Sequence, residues 1–237
     1  MNFKENANQL KELGYSITTA IYSEDEIRSI LACLKSAEHN SSFMKTKDLF
    51  AIRQLFTNVS GLKELVLNEN LCQLISDVAD NNYFISKAIY FDKPSDSNWF
   101  VAYHQDLSIS VNQRAELDGY CNWTFKKGQH GVQPPLPVLE DTITIRIHLD
   151  DTDENNGALK VISGSHKRGV IRIENKDWNS LDERLCNVQK GGVMLMKPLT
   201  LHASGRTTNQ KRRRVIHIEL NKHHLESPLE WLEKCAI

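Results

Sequence analysis

The stretch "YHQDL" at residues 103–107 places a histidine and an aspartate one residue apart. On a β-strand, residues i and i+2 point to the same face, so His104 and Asp106 would project together while Gln105 points away. His202, in "LTLHASG", could supply a third ligand. Two imidazoles and one carboxylate form the facial triad of non-haem iron sites, which leaves coordination positions open. The alternative is that His104 and Asp106 are two polar side chains at a strand end, and their spacing alone does not exclude it.

A candidate anion-binding residue follows the third candidate ligand. Arg213 lies eleven residues after His202, at the start of the β-like run "RRVIHIEL". Its guanidinium could hold the distal carboxylate of a 2-oxo diacid through two parallel hydrogen bonds, while the 2-oxo acid end chelates the metal. The alternative is that the basic run 211–214 is a solvated loop. Arg212 and Arg214 could compete for the same role, although strand alternation favours the middle arginine.

The first third of the chain has helical patterns that would support such a site. Ser23 and Glu26 form a capping box ahead of apolar residues at helical spacing. A second helix is predicted after the possible cap Asn68. Its aliphatic positions are Leu71, Leu74, Ile75 and Val78. We expect both helices to be scaffold, because aliphatic stripes of this kind are usually buried in a core.

From about residue 83 the pattern changes to short β-type runs separated by turn residues such as "ENNG" and "SGSH". The runs are "YFISKAIYF", "WFVAYH", "DTITIRIHLDD", "ALKVISG", "GGVMLMKP" and "RRRVIHIEL". They predict a mainly β protein with flanking N-terminal helices, built as a sandwich or jelly roll. We expect one domain over 1–237, with a mainly helical part at 1–82, a jelly-roll core at 83–221 and a tail at 222–237.

Composition restricts the partners. A formal net charge of -1 over 237 residues gives no global field for nucleic acid or an anionic membrane, so neither is an expected partner. The five cysteines contain no CxxC, which is typical of reduced thiols and favours a cytoplasmic location. No apolar run is long enough for a signal peptide or a membrane span. The oligomeric state stays open.

Three blocks in order resemble the phytanoyl-CoA dioxygenase family of Fe(II)/2-oxoglutarate oxygenases. They are "YHQDLSI", "IHLDDTDENNGALKVISGSHKRG" and "GGVMLMKPLTLHASGRTTNQKRRRVIHIEL", and the resemblance runs from about residue 84 to 221. It implies a double-stranded β-helix, or jelly roll, that uses Fe(II), 2-oxoglutarate and O₂. Carried over residue by residue, it makes the iron ligands His104, Asp106 and His202, the 2-oxoglutarate anchor Arg213, and further cosubstrate contacts Ser204 and Gln105. One departure is the long segment containing "YCNWTFKKGQHGVQPPLP", which puts any transfer of a relative's substrate in doubt.

The implied reaction is the oxidative decarboxylation of 2-oxoglutarate to succinate and CO₂, coupled to oxidation of an unactivated C–H bond. Related halogenases have a small residue at the carboxylate position, so the intact Asp106 favours hydroxylation. Three strand-associated histidines, His148, His166 and His217, are expected to form hydrogen bonds rather than bind iron, because a further ligand would close the sites that O₂ needs. The competing hypothesis is a non-catalytic jelly-roll sensor or binding protein that retains the metal.

Substrate recognition is predicted on one strand and on the long segment before it. Along "TITIRIHL", Thr144, Arg146 and His148 share one face, with isoleucines on the other. Arg146 would point a cation towards the metal, and the alternative is a solvent-facing ion pair. Aromatic and basic residues of the segment 118–137, which we expect over the mouth of the site, are Trp123, Phe125, Lys126 and Lys127. We therefore expect a small or medium-sized, anionic substrate.

Overall fold

A computed structural model describes residues 1–37, 44–45, 50–95, 100–126, 128–172 and 182–237. Within these ranges the helices are α1 (Lys4–Leu13), α2 (Glu24–Ala37), α3 (Leu55–Asn58), α4 (Leu62–Val66), α5 (Glu69–Val78) and α6 (Leu136–Glu140), with one 3₁₀ turn at Ser165–Arg168. The described strands are β1 (Tyr15–Ile17), β2 (Met44–Lys45), β3 (Phe50–Arg53), β4 (Phe84–Lys93), β5 (Val101–His104), β6 (Ile109–Val111), β7 (Cys121–Lys126), β8 (Gln129–Gln133), β9 (Ile143–His148), β10 (Leu159–Ile162), β11 (Glu183–Cys186), β12 (Val193–Met196), β13 (His202–Ser204) and β14 (Arg213–Asn221).

The larger sheet has the strand order β1-β12-β9-β14-β4-β3-β2, and every pairing in it is antiparallel. Its central strands β4, β9, β12 and β14 coincide with four of the β-type runs in the sequence. Strands from the first 82 residues close both edges, with β1 beside β12 and β3 beside β4. The N-terminal part is therefore helical with strands at both sheet edges, and the sequence pattern indicated only its helices.

One face of the larger sheet packs against the N-terminal helices. Isoleucines of β9 and β14 join the helix residues Ile27, Ile30 and Leu74 in one buried cluster. The predicted capping box is present, because the Ser23 backbone N–H donates to Glu26 at 2.7 Å and the Glu26 N–H donates back to Ser23 at 3.3 Å. Burial of this apolar face fixes the strand register, so the alternate residues must point to the opposite side.

The smaller sheet faces that opposite side, with the order β11-β10-β13-β5. Leu159 and Val161 on β10 pack on Met194 and Met196 on β12, which closes one end of the space between the sheets. Two facing antiparallel sheets with helices on the outer face form the jelly roll expected from the sequence. The space that remains open between the sheets contains the candidate site.

A third sheet, β6-β8-β7, is formed by part of the long segment that departs from the family pattern. The C-terminal residues hold it in place, because Val111 and Trp231 form a β-bridge and share a buried cluster with Val132. No helix in the described part of the chain is long and apolar enough to cross a bilayer.

Candidate active site

The smaller sheet brings together the two histidines of the predicted triad. In the antiparallel pairing of β5 with β13, His104 lies directly opposite His202, and their ring centroids are 4.2 Å apart. Asp106 follows β5 and is held by its backbone N–H, which donates to the Pro198 carbonyl at 2.9 Å. Its carboxylate oxygens lie 3.5 Å from His104 Nε2 and 3.6 Å from His202 Nε2. The three potential ligand atoms all lie within 4.8 Å of one another.

Backbone hydrogen bonds set the tautomer of both imidazoles. His104 Nδ1 lies 2.9 Å from the Ala102 carbonyl, and His202 Nδ1 lies 2.8 Å from the Thr200 carbonyl. A carbonyl can only accept, so each Nδ1 carries a proton, and in the neutral imidazole each Nε2 is left with a lone pair for a metal. This oriented donor set of two nitrogens and one carboxylate fits a divalent iron ion with open positions.

The ionisation of Asp106 also suits a metal site. Burial would raise the pKa of Asp106, but the neighbouring His202 and His104 outweigh burial and hold the pKa well below its usual range. The Asp106 carboxyl is therefore ionised at neutral pH. Contact with Asp106 raises the pKa of His104, whereas burial lowers the pKa of His202.

The three consecutive arginines point to different places. Arg213 lines a space of about 230 Å³ between the sheets that the triad also lines, and we call this space the inner cavity. Arg212 instead bonds to Asp92, and Arg214 donates to Asp150 at 2.8 Å. Strand alternation in β14 explains the difference, and it brings only the middle arginine to the triad.

A second cation, the buried Lys93, accompanies Arg213. Lys93 lies opposite Arg213 in the register of β4 and β14, is 2 % exposed, and donates to the Gly205 carbonyl at 3.0 Å. Burial, with Arg213 next in effect, lowers the pKa of Lys93 to about 8. Burial and Arg146 lower the pKa of Arg213 to about 9. Sequence reasoning missed Lys93 because a lysine at a strand end is usually solvated; its only signal was its period-two alignment with Ile89 and Phe91.

The turn "NNGA" supports these cations. Arg213 donates to the Gly157 carbonyl, and a Cβ on Gly157 would lie 3.1 Å from Lys93 Nζ. Asn156 is fully buried and closes the turn by accepting from the Asp153 N–H at 2.8 Å. The turn interpretation of this motif therefore agrees with the structure, and the turn also shapes the inner cavity. Ser204 lines the same cavity.

The polar face of β9 points between the sheets, as the alternation predicts. Thr144, Arg146 and His148 are all buried there or line the inner cavity, while the isoleucines face the helices. Thr144 Oγ1, Arg146 Nε and His148 Nε2 are buried without a hydrogen-bond partner in the described part of the chain. His148 Nδ1 lies 2.7 Å from Thr152 Oγ1, and burial holds the pKa of His148 well below its usual range.

A chain of polar contacts leads away from Arg146. Its Nη1 lies 3.2 Å from His217 Nδ1, and His217 Nε2 lies 3.1 Å from Glu219 Oε1. Because the guanidinium can only donate, His217 Nδ1 accepts and His217 Nε2 donates to Glu219. Glu219 also pairs with Lys87 at 2.8 Å. The hydrogen bonds to both nitrogens of His217 agree with its predicted non-ligand role.

The chain resembles known proteins in sequence. The sequence matches the phytanoyl-CoA dioxygenase family over residues 10–215. The chain belongs to this family of iron- and 2-oxoglutarate-dependent oxygenases. It is also 25% identical over 248 residues to a probable alpha-ketoglutarate-dependent hypophosphite dioxygenase of Stutzerimonas stutzeri, covering 91% of this chain and 77% of that protein.

Solved structures share the fold. The epimerase SnoN in complex with Fe³⁺, alpha-ketoglutarate and nogalamycin RO superposes with a TM-score of 0.72 at 11% identity, covering 99% of this chain and 94% of that one. The carbocyclase SnoK from nogalamycin biosynthesis gives 0.70 at 16% identity, covering 92% and 83%. HygX from Streptomyces hygroscopicus, with nickel, 2-oxoglutarate and hygromycin B bound, gives 0.64 at 16% identity, covering 92% and 86%. At these identities the likeness shows the jelly-roll fold.

Two residues predicted for the site, Gln105 and Trp123, do not line the inner cavity. Gln105 donates to the carbonyls of Gly169 and Leu199 at 2.9 and 2.6 Å and accepts from the Ile171 N–H at 2.8 Å. These backbone contacts brace the surrounding loops, and the cosubstrate contact of Gln105 stays a prediction. The partly buried Trp123 packs against the buried cluster behind the third sheet.

A larger space, which we call the outer cavity, lies between the third sheet and the larger sheet. It has a volume of about 570 Å³ and meets the inner cavity at Phe91, Asp106 and His217. Lys126 lines it, whereas Phe125 is 65% exposed on the other side. Lys127 lies outside the described residues.

Proposed function

We propose that this protein is an Fe(II)- and 2-oxoglutarate-dependent dioxygenase that hydroxylates an unactivated C–H bond of a small or medium-sized metabolite. Succinate and CO₂ are the co-products. The observation that carries the proposal is the convergence of His104 Nε2, Asp106 and His202 Nε2 in one cavity with Arg213. Turnover requires oriented metal ligands beside an anchor for a diacid, whereas a sensor that only retains a metal does not require the anchor.

In this proposal His104, Asp106 and His202 hold Fe(II), and Arg213 binds the distal carboxylate of 2-oxoglutarate. When bound, the iron supplies the activation of O₂ and the oxidising power. Lys93 adds a second positive charge to the carboxylate end, and Ser204 is a further candidate donor there. The apolar residues Phe91, Val101, Leu159 and Val215 line the same cavity. They limit the water around the reacting groups.

The reaction outcome rests on the carboxylate. Asp106 occupies the position that would have to be small to admit chloride, so hydroxylation is favoured over halogenation. The fold also serves an epimerase and a carbocyclase among its structural relatives, so the assay must identify the oxidised product as well as succinate.

We propose an anionic group on the substrate, supported by Arg146. Its guanidinium lines the inner cavity, and its Nε has no hydrogen-bond partner in the described part of the chain. Three cations, the buried Lys93 and the half-buried Arg146 and Arg213, line this cavity together with the single carboxylate Asp106. One distal carboxylate does not require three positively charged side chains, so positive charge remains for an anionic substrate. We further infer one catalytic domain and, from the five free cysteines, a cytoplasmic location.

The test uses the whole chain loaded anaerobically with Fe(II) and 2-oxoglutarate. A weak visible charge-transfer band should form, and admission of O₂ should yield succinate even without substrate. Addition of a chelator before loading should abolish both signals. Iron retention without the band or succinate would reject the dioxygenase and favour the metal-binding sensor.

A further inference from the structure

The third sheet has two chemically different faces. Its apolar residues Ile109, Val111 and Val132 are buried against the C-terminal residues, including Trp231. The side chains that line the outer cavity include Ser108, Ser110, Asn122, Thr124, Gln129 and Gln133. These positions alternate along each strand, so one face of the sheet is apolar and held by the fold while the other presents hydroxyls and amides.

Gly131 creates room on this polar face. A Cβ at that position would lie 2.7 Å from Thr124 Oγ1 and 2.9 Å from Ser108 Oγ. Both hydroxyls therefore approach the space that any side chain at residue 131 would occupy. The hydroxyl of Thr124 and the amide of Gln129 have no hydrogen-bond partner in the described part of the chain. Their donors and acceptors remain available to a ligand.

The end of the outer cavity nearest the triad is charged and hydrogen-bonded. Lys87 and Glu219 are 12% and 10% exposed, and their ion pair is braced by His217 and by the Ser108 carbonyl. Only three of its described lining residues, Ile89, Phe91 and Leu107, have apolar side chains, and most of the others carry hydroxyl, amide or charged groups. An acyl chain would leave these polar groups without partners on binding, which is costly.

We propose that the outer cavity is the substrate site and that it takes a hydroxyl-rich metabolite of the sugar-acid class. This inference rests on the proposed dioxygenase function. The hydroxyl groups of the ligand would bind the polar face of the third sheet, and its anionic end would extend past Asp106 towards Arg146. The volume of about 570 Å³ lies within the range of small-molecule sites.

The experiment compares named probes by succinate release above the substrate-free rate. D-gluconate, D-glucuronate and methyl glucoside represent the proposed class, and hexanoate and hexanoyl-CoA represent acyl compounds. We expect stimulation by a hydroxylated probe, with the acids ahead of the glucoside. Stimulation by the acyl probes alone, or by no probe while substrate-free succinate continues, overturns the substrate class. Absence of succinate under all conditions instead rejects the dioxygenase function.

Binding to the metal-free protein tests the site without turnover. Ligand-observed NMR should detect the hydroxylated probe on the wild type. Thr124→Val keeps the side-chain shape and should weaken binding about 2- to 12-fold, the effect of one hydrogen bond. Gly131→Ala should weaken it further by crowding both hydroxyls. The matched control Thr57→Val, at an exposed position of helix α3, should bind like wild type. Equal binding by Thr124→Val, Gly131→Ala and the control would remove the polar face from the site.

Discussion

Replacement of Arg213 by lysine separates the geometry of the proposed cosubstrate anchor from its charge. Arg213 lines the inner cavity, and its planar guanidinium can form two parallel hydrogen bonds to a carboxylate. Lysine keeps the charge but has no fork, so at least one charged hydrogen bond is lost. Such a bond contributes about 1.5–3 kcal/mol. The 2-oxoglutarate concentration for half-maximal turnover should therefore rise about 10- to 150-fold.

Succinate release against 2-oxoglutarate concentration measures this effect, and iron titration monitors the metal site. Iron affinity should stay near wild type, because Arg213 bonds to the Gly157 carbonyl and to none of the triad side chains. The matched controls are Arg212→Lys and Arg214→Lys, whose side chains pair with Asp92 and Asp150. Both should keep the wild-type requirement. An unchanged requirement in Arg213→Lys, or an equal rise in either control, would refute the alternation argument.

Three further variants test other parts of the structure. His202→Ala should reduce iron affinity and succinate formation at least about 100-fold, while the exposed His224→Ala should not; wild-type turnover in His202→Ala would contradict the triad. Arg146→Ala should abolish substrate stimulation but keep substrate-free succinate; loss of both would assign it to the cosubstrate, and no effect would remove it from the site. Bonds from Ser23 and Asn68 lower the pKa of Glu26, so Glu26→Gln should cost about 0.5 kcal/mol in unfolding free energy at neutral pH. That difference should be complete above the unfolded pKa of about 4.3 and vanish as pH falls through the lowered folded value; a pH-independent difference would disprove the linkage.

Period-two alternation predicted the interior of the jelly roll well. It separated Arg213 from its neighbours and sent Arg146 inward, because burial of the opposite face of β9 and β14 leaves each strand one register. Alternation also predicted the joint placement of His104 and Asp106, although Asp106 lies beyond the end of β5 and is fixed by its backbone bond to Pro198. It also predicted that Gln105 points away from the metal. The family resemblance suggested a cosubstrate contact for Gln105, and the backbone hydrogen bonds agree with the alternation.

The third sheet escaped prediction for a physical reason. Apolar alternation marks a strand only where one face meets a core and the other meets water. In β7 the polar residues line a cavity, while Cys121 and Phe125 on the other face are exposed. The segment therefore has no regular hydrophobic period. Trp123 was predicted to cover the substrate, but it follows the strand alternation and packs behind the sheet.

Strand β14 explains how the two cavities are arranged along one path. Its inward residues are Arg213, Val215, His217 and Glu219, spaced about 7 Å apart along an extended strand. Arg213 and Val215 line only the inner cavity, His217 lines both, and Glu219 lines only the outer one. Along the strand, these residues therefore lead from the proposed cosubstrate anchor to the proposed substrate site. His217 bonds to both Arg146 and Glu219, so it connects the inner cavity to the outer cavity through hydrogen bonds. We expect the oxidised C–H bond to belong to the part of the substrate nearest His217 and Asp106.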